Sequence, residues 1–328
     1  VSRMRIPAAL REQGIEDARC WSIPMTTRFR GITVRDGVVL RGPEGWAEFS
    51  PFWDYDPAES AAWLRCALAD ATAPRPAPLR GSIEVNATIP VVPPALAHRL
   101  ARVGGARTAK VKVADVASSL PEDLERLEAV RDALGPDARI RVDANARWDR
   151  DESISAIPQL DRAAGGLEYV EQPVASLEDL VAVRRAVDVP IAADELVRRA
   201  EDPLRVARAG AADVLVMKVQ PLGGVARCLE LAAEADLPVV VSSALESSVG
   251  LSAGLAFAAA LPELTHACGL ATGVLLTGDL VAAPLRADGG TIPVERPRPE
   301  PELLESHGAP RELTARWEQR LEACAQLL

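Results

Sequence analysis

The chain has 328 residues, 48% hydrophobic and 26% charged, enough apolar material for one large core and a smaller annex, which excludes intrinsic disorder and a disulfide-stapled miniprotein. Its 37 Lys and Arg against 47 Asp and Glu leave a net charge of -10 without a long basic run, so nucleic acid is not an expected partner. Cys20, Cys66, Cys228, Cys268 and Cys324 are odd in number and scattered without a CxxC pair, which reads as reduced thiols in a cytosol.

The first 20 residues carry charges throughout and lack an apolar h-region, so a cytoplasmic protein without a secretory signal is expected. Residues 1–80 predict an α+β capping domain. VRDGVVLRGPEGWAEFSPFWDY reads as antiparallel strands joined by turns at Asp36-Gly37 and Glu44-Gly45, and 57–71 has helical spacing. The proline-rich stretch APRPAPLRG (73–81) marks the domain boundary.

From residue 81 to 288, short β-branched runs alternate with helical-period segments. The runs are SIEVNAT (82–88), AKVKV (109–113), RIRVDAN (139–145), LEYVEQP (167–173), PIAADE (190–195), DVLVMKV (213–219), PVVVSSA (238–244) and a weaker one near HACGLA (266–271). Eight βα units with apolar strands predict a (β/α)8-type barrel; a doubly wound sheet is the runner-up, but no GxGxxG or GxxxxGK[ST] is present. LSAGLAFAAAL (251–261) falls short of the roughly 20 residues that span a bilayer and reads as a buried helix, so no membrane partner is expected. The tail, 289–328, ends in a helix-like stretch (312–328) expected to complete the capping domain.

Active residues of a parallel barrel belong at the carboxyl ends of its strands. There stand Lys110 and Lys112, Asp143, Glu171, Asp194 and Lys218, on five consecutive strands. Strand alternation points Arg139, Arg141 and Asp143 to one face, and Lys110 with Lys112 to one face, taken as the lumen. Asp143, Glu171 and Asp194 then converge, and crowded carboxylates call for a cation between them. With no His or Cys at these ends, Mg²⁺ suits the site better than Zn²⁺. Singly, each carboxylate reads equally as a helix cap and Lys112 as a solvated strand end. Flanking the acids together, Lys112 and Lys218 become candidates for proton exchange with carbon. Ser242 and Ser243 could bind a substrate carboxylate or cap the next helix, and Gly223-Gly224 make a tight turn that could face an anion. His98, His266 and His307 read as structural. A serine nucleophile is disfavoured, for no GxSxG is present.

In this order on successive strands, AKVKV, RVDAN, VEQP, AADE and MKVQPLGG resemble the enolase superfamily and its muconate-lactonizing-enzyme subgroup, over about residues 20–290. The resemblance implies that Asp143, Glu171 and Asp194 ligate Mg²⁺, with Mn²⁺ able to substitute. It makes Lys112 the general base and acid, Lys218 the lysine of the opposite face, and Lys110 a deeper charge that tunes Lys112. It implies that Arg141, Asn145 and Glu195 hold the ligands in place, and that Ser242, Ser243, Asn86 and Arg28 meet the substrate. The missing histidines argue against mandelate-racemase-like members.

Within the subgroup, TTRFRG (26–31), GWAEFSP (45–51), SIEVNATIP (82–90) and SSALESSVG (242–250) are similar to the o-succinylbenzoate synthase family. That similarity implies syn dehydration of 2-succinyl-6-hydroxy-2,4-cyclohexadiene-1-carboxylate in menaquinone biosynthesis, with loop 28–31 closing over the succinyl arm. The alternatives are an N-acylamino acid racemase, a dipeptide epimerase or a muconate cycloisomerase. The epimerase reading is weakened by Asp279 standing alone in GLATGVLLTGDL. A metal-binding scaffold barrel is the non-enzyme alternative. The expected partner is a small-molecule carboxylate, in a monomer or a homo-oligomer.

Overall fold

The computed structural model describes residues 4–199 and 202–328, so residues 1–3 of the expected capping region lie outside it. The chain opens with α1 (Ala8–Glu12), then β1 (Asp17–Phe29), β2 (Ile32–Gly42) and β3 (Gly45–Phe49), an antiparallel sheet in chain order. The turn expected at Asp36-Gly37 is absent. Gly37 lies in mid-strand opposite Trp21, and the chain reverses instead at Arg30-Gly31, with φ of +51° and +78°. The glycine serves packing: a β-carbon on it would stand 2.5 Å from that of Ser50 and 3.1 Å from the Trp21 ring. Helix α2 (Pro57–Thr72) starts on an Asp56–Glu59 capping box with Pro57 in its first turn.

After β4 (Ser82–Glu84) comes the barrel. Its strands are β5 (Ala87–Ile89), followed by α3 (Pro94–Ala101), β6 (Thr108–Lys112), α4 (Leu120–Leu134), β7 (Arg139–Asp143), α5 (Arg150–Ala164), β8 (Tyr169–Glu171), α6 (Leu177–Ala186) and β9 (Ile191–Ala193). Two four-residue helices, α7 (Glu195–Arg198) and α8 (Arg205–Arg208), then stand in for a full crossover helix. β10 (Val214–Met217), α9 (Val225–Ala235), β11 (Val239–Val241) and α10 (Ser248–Ala260) follow. Every residue of α10 but the last is buried, as its unbroken apolar sequence predicts. Beyond it lie β12 (Thr291–Pro293), α11 (Pro301–Ser306) and α12 (Arg311–Ala325). Antiparallel pairing of β12 with β4 leaves only the second half of the first predicted strand to the barrel.

β5 to β11 form one parallel sheet in chain order. The eighth stave is a two-residue seam: Cys268 bridges Val85, Gly269 bridges Ser242, and both bridges are parallel. Because successive residues alternate faces, Tyr169, Ala192, Val214, Val216 and Val240 fill the lumen, while Ile140, Val142, Val170 and Leu215 pack outward in the layer under the helices.

A second apolar cluster lies in the cap and is not closed on itself. It joins Trp21, Val38, Phe49, Trp63 and Leu64 to Leu245, Val249 and Leu280 past the barrel strands, and to Trp317 and Leu321 of α12. Polar clasps reinforce this joint. The buried Glu48 carboxylate accepts from Ser247 N (3.1 Å), Ser247 Oγ (2.5 Å), Gly250 N (3.3 Å) and Ser50 Oγ (2.6 Å). Arg35 Nε donates to Leu245 O at 3.2 Å, and Trp317 Nε1 to Asp36 Oδ1 at 2.7 Å.

Candidate active site

Residues two apart on a strand share a face, and pairing stacks the inward ones in layers. Lys110, Arg141 and Tyr169 are register partners, and Lys112, Asp143 and Glu171 form the layer above. Asp194 and Lys218 come directly after β9 and β10. In that upper layer each carboxylate meets an ammonium. Lys112 Nζ lies 2.5 Å from Asp143 Oδ2, and Lys218 Nζ lies 2.5 Å from Asp194 Oδ2. Lys110 Nζ bridges Glu171 at 2.9 Å and Asp143 at 3.2 Å. Asn145 ties Lys112 to Glu195, accepting at 2.6 Å and donating at 3.3 Å.

The three carboxylates are almost wholly buried, which by itself disfavours their charge. Lys112 and Lys110 overcome this at Asp143 and hold it far below the usual range. At Asp194, Arg198 and Lys218 do the same, to about 2. Glu171 goes the other way: burial, then the neighbouring charge of Asp143, push it up to about 7. Lys110 is raised despite burial by Glu171 and Asp143. The Lys218 ammonium is lowered, mainly by burial and also by Arg198 and Lys110. Lys110 thus spends its charge on two carboxylates and also acts on Lys218.

Among the described residues, no three carboxylates, imidazoles or thiols are gathered closely enough to ligate an ion as they stand, so the expected convergence on one point is not seen. Their oxygens are turned onto the lysines. The donor set still fits a hard divalent cation: three buried carboxylates, oxygen only, with Asp143 and Asp194 both pressing on Glu171.

Of these strand-end groups, Lys110, Lys112, Asp143 and Lys218 line an open cavity, while Glu171 and Asp194 are wholly buried next to it. Its walls are Thr88, Ser242, Ser243, Leu245 and Thr272, and its roof is Phe29, Arg30, Phe52, Tyr55 and Trp63 from the cap. Lys112 Nζ lies 5.3 Å from the Phe29 ring centre. Ser243 Oγ pairs with Thr272 Oγ1 at 2.5 Å and accepts from Leu245 N at 3.0 Å, while Gly269 is kept bare by Ser242 Oγ, 2.7 Å from where a β-carbon would stand.

Arg141 and Asn86 lie deeper than expected. Arg141 touches none of the three carboxylates; one layer down, it donates to Glu168 (2.6 Å), Ala267 O (2.8 Å) and Tyr169 OH (3.1 Å). Asn86 is equally deep, accepting from Arg141 at 3.3 Å and donating to Ala87 O at 3.1 Å, and Thr88 takes its place in the cavity wall. Arg28 lines a neighbouring cleft, and Arg30 faces the cavity. The Asp279 carboxylate is buried under α10, where it accepts from Ser248 Oγ at 2.6 Å.

Two positioning residues escaped the sequence reading. Arg198 Nε grips Asp194 Oδ1 at 2.9 Å, and the same guanidinium reaches Glu195 Oε1 at 2.6 Å and the Tyr55 hydroxyl. Its spacing of four from Asp194 at a helix start was the available signal. Gln172, in VEQP, has a left-handed φ of +39° and accepts from Asp194 N at 2.9 Å and Leu196 N at 3.2 Å.

A capped barrel with carboxylates and lysines at its strand ends is the architecture of the enolase-type proteins. The family model described as Enolase C-terminal domain-like matches residues 94–299, and Enolase N-terminal domain-like matches 20–71. The chain is 56% identical to an o-succinylbenzoate synthase of Thermobifida fusca (strain YX) over 85% of its own length and 87% of the relative's. Identity to the o-succinylbenzoate synthase of Mycolicibacterium smegmatis is 52%, over 94% of both chains. Its fold is shared with a substrate-liganded L-Ala-D/L-Glu epimerase from Bacillus subtilis, at TM-score 0.73 and 22% identity, covering 91% of this chain and 98% of that one. The chain belongs to the enolase superfamily and, within it, to the o-succinylbenzoate synthase family. Members of the superfamily bind a divalent metal ion.

Proposed function

We propose that the chain dehydrates 2-succinyl-6-hydroxy-2,4-cyclohexadiene-1-carboxylate to 2-succinylbenzoate, a step of menaquinone biosynthesis carried out in the cytoplasm. The observation that carries the reading is that Lys112 and Lys218 enter one cavity from strands with three others between them, and those three strands end in the carboxylates. In this reading Lys112, in its neutral form, takes the proton α to the ring carboxylate. The electron pair left behind is delocalised into that carboxylate. Lys112 then returns its proton to the ring hydroxyl on the same face, the C–O bond breaks, water departs and the ring becomes aromatic. From the other face, the Lys218 ammonium steadies the enolate by charge and by contact with the ring.

Asp143, Glu171 and Asp194 would hold the divalent ion, Mg²⁺ with Mn²⁺ as a substitute, which supplies positive charge to the carboxylate as the dianion forms. Arg198 and Gln172 fix Asp194, and Asn145 and Glu195 fix the position of Lys112. Ser242 and Ser243 offer hydroxyls to the substrate carboxylate. The cap, residues 1–80 completed by 289–328, excludes water above the barrel of 81–288.

Deuterium exchange and turnover test the reading together. With Mg²⁺ in D₂O, the wild-type chain is expected to dehydrate the hydroxyacid. Lys112→Ala and Lys218→Ala should each lower kcat about 10³-fold. Exchange at the α-carbon that survives replacement of both lysines would overturn the assignment.

A further inference from the structure

Beside the cavity under the cap lies a second cleft, bounded by loop 28–31 of the cap and loop 113–117 of the barrel; the two spaces share Phe29, Arg30, Lys112, Asn145 and Arg198 as walls. Although the chain carries a net charge of -10, among the described residues this cleft presents Arg28, Arg30, Lys112, Arg147, Arg198 and Arg199 against only Asp115 and Glu195.

Four of those cations are already committed. Lys112 holds Asp143 at 2.5 Å, Arg198 holds Asp194 at 2.9 Å, Arg30 holds Asp54 at 3.3 Å, and Arg199 holds Glu59 at 2.9 Å. Glu195 is taken by Arg198 at 2.6 Å, and Asp115 Oδ1 accepts from Ala117 N at 3.0 Å. Arg28 and Arg147 are exposed and, among the described residues, have no ion-pair or hydrogen-bond partner for their side chains.

Arg147 is rigidly mounted. Before it, Asn145 and Ala146 both take left-handed backbone, with φ of +46° and +59°, a conformation that costs energy in residues with side chains and persists only where neighbours enforce it. Here they do: Ala146 N donates to Gln172 O at 2.7 Å and Trp148 N to Pro173 O at 3.2 Å, pinning the loop to the one after β8. Arg28 comes instead from the cap. One uncommitted guanidinium from each domain therefore lines a cleft that shares its wall with the reacting centre.

We infer that Arg147 and Arg28 bind the remote carboxylate of a dicarboxylate substrate. This rests on the reading above, in which substrate and product carry one carboxylate on the ring and a second at the end of the succinyl arm. With the first against the site floor, the arm runs out past Asn145, and its charged end meets two guanidiniums suited to bidentate pairing with a carboxylate. Acids whose arm ends in a neutral group gain nothing from the pair.

The test is calorimetric binding of 2-succinylbenzoate, and of its analogue with the arm carboxylate replaced by a primary amide, to the Mg²⁺-loaded wild type, Arg147→Gln, Arg28→Gln and the double variant. The double variant is expected to bind the diacid about tenfold more weakly and to change little toward the amide. The wild-type affinity for the diacid should fall more steeply with salt than the variant's. Equal weakening toward both ligands, or none toward either, would overturn the inference while leaving the activity standing. A wild type that binds both compounds but never dehydrates the hydroxyacid would overturn the activity and the inference with it.

Discussion

At and just behind the floor of the cavity, Lys110, Lys112, Asp143, Glu171, Asp194 and Lys218 sit at strand ends whose heights are set by backbone pairing, and each charge answers another within 3.2 Å. On the roof the contacts are aromatic and their charges are spread over ring faces: Arg30 over Phe52 at 4.0 Å and Arg199 over Tyr55 at 4.4 Å. The floor needs positions fixed to a fraction of an ångström, because buried charges interact steeply with distance. The roof needs shape and dryness, which the aromatic rings of β1, α2 and the loop between β3 and α2 provide. Chemistry and selectivity are thus mounted on different kinds of scaffold.

Replacing one floor carboxylate is the hardest blow to that division. In Asp194→Asn, Arg198 and Lys218 lose their common counter-charge. Turnover is expected to fall about 100-fold or more, with weaker dependence on Mg²⁺. Steady-state rates across a Mg²⁺ titration check it, and an unchanged titration would remove Asp194 from the floor's working set. A roof substitution should behave differently. Phe29→Ala removes an aromatic wall, and the expected outcome is a KM about tenfold higher with a much smaller change in kcat; a loss confined to kcat would blur the contrast.

The joint between roof and floor gives the smallest effect and a pH signature. Burial pushes the Glu48 carboxyl, clasped by Ser247 and Ser50 and facing Arg35 and Glu246, up to about 7 from 4.5. A carboxyl raised by folding contributes most below its unfolded value, and that contribution is lost as the pH climbs through the folded one. The stability difference between wild type and Glu48→Gln should therefore shrink by up to about 3 kcal/mol between pH 4.5 and 8. Denaturant melts at several pH values measure this, and a difference that widens with pH would contradict the assignment.

The floor was legible in the sequence because a two-residue period, applied to eight recurring strands, is enough to say which residues point inward. It does not say how high they stand. Arg141 and Asn86 share the correct face with Asp143 and Thr88 but sit one pleat repeat lower, about 6.6 Å down the strand, and so support the lumen instead of meeting a ligand. The roof was harder to read. The similarity carried by TTRFRG implies a loop at 28–31 but not which of its side chains face the cavity, and Gly37 resembles a turn glycine although close packing against Ser50 and Trp21 is what requires it. Arg198 stayed hidden because a four-residue helix has too little periodicity to announce itself.

The position of α12 along the chain bears on how the protein is made. Trp317 and Leu321 belong to the same apolar cluster as Trp21 and Phe49, so β1 and β3 wait for a helix that follows the whole barrel in the chain before their own interior is filled. The barrel staves, all earlier than residue 270, can associate as they emerge. Catalytic groups would then be assembled in the open and covered afterwards, with α12 acting as the latch.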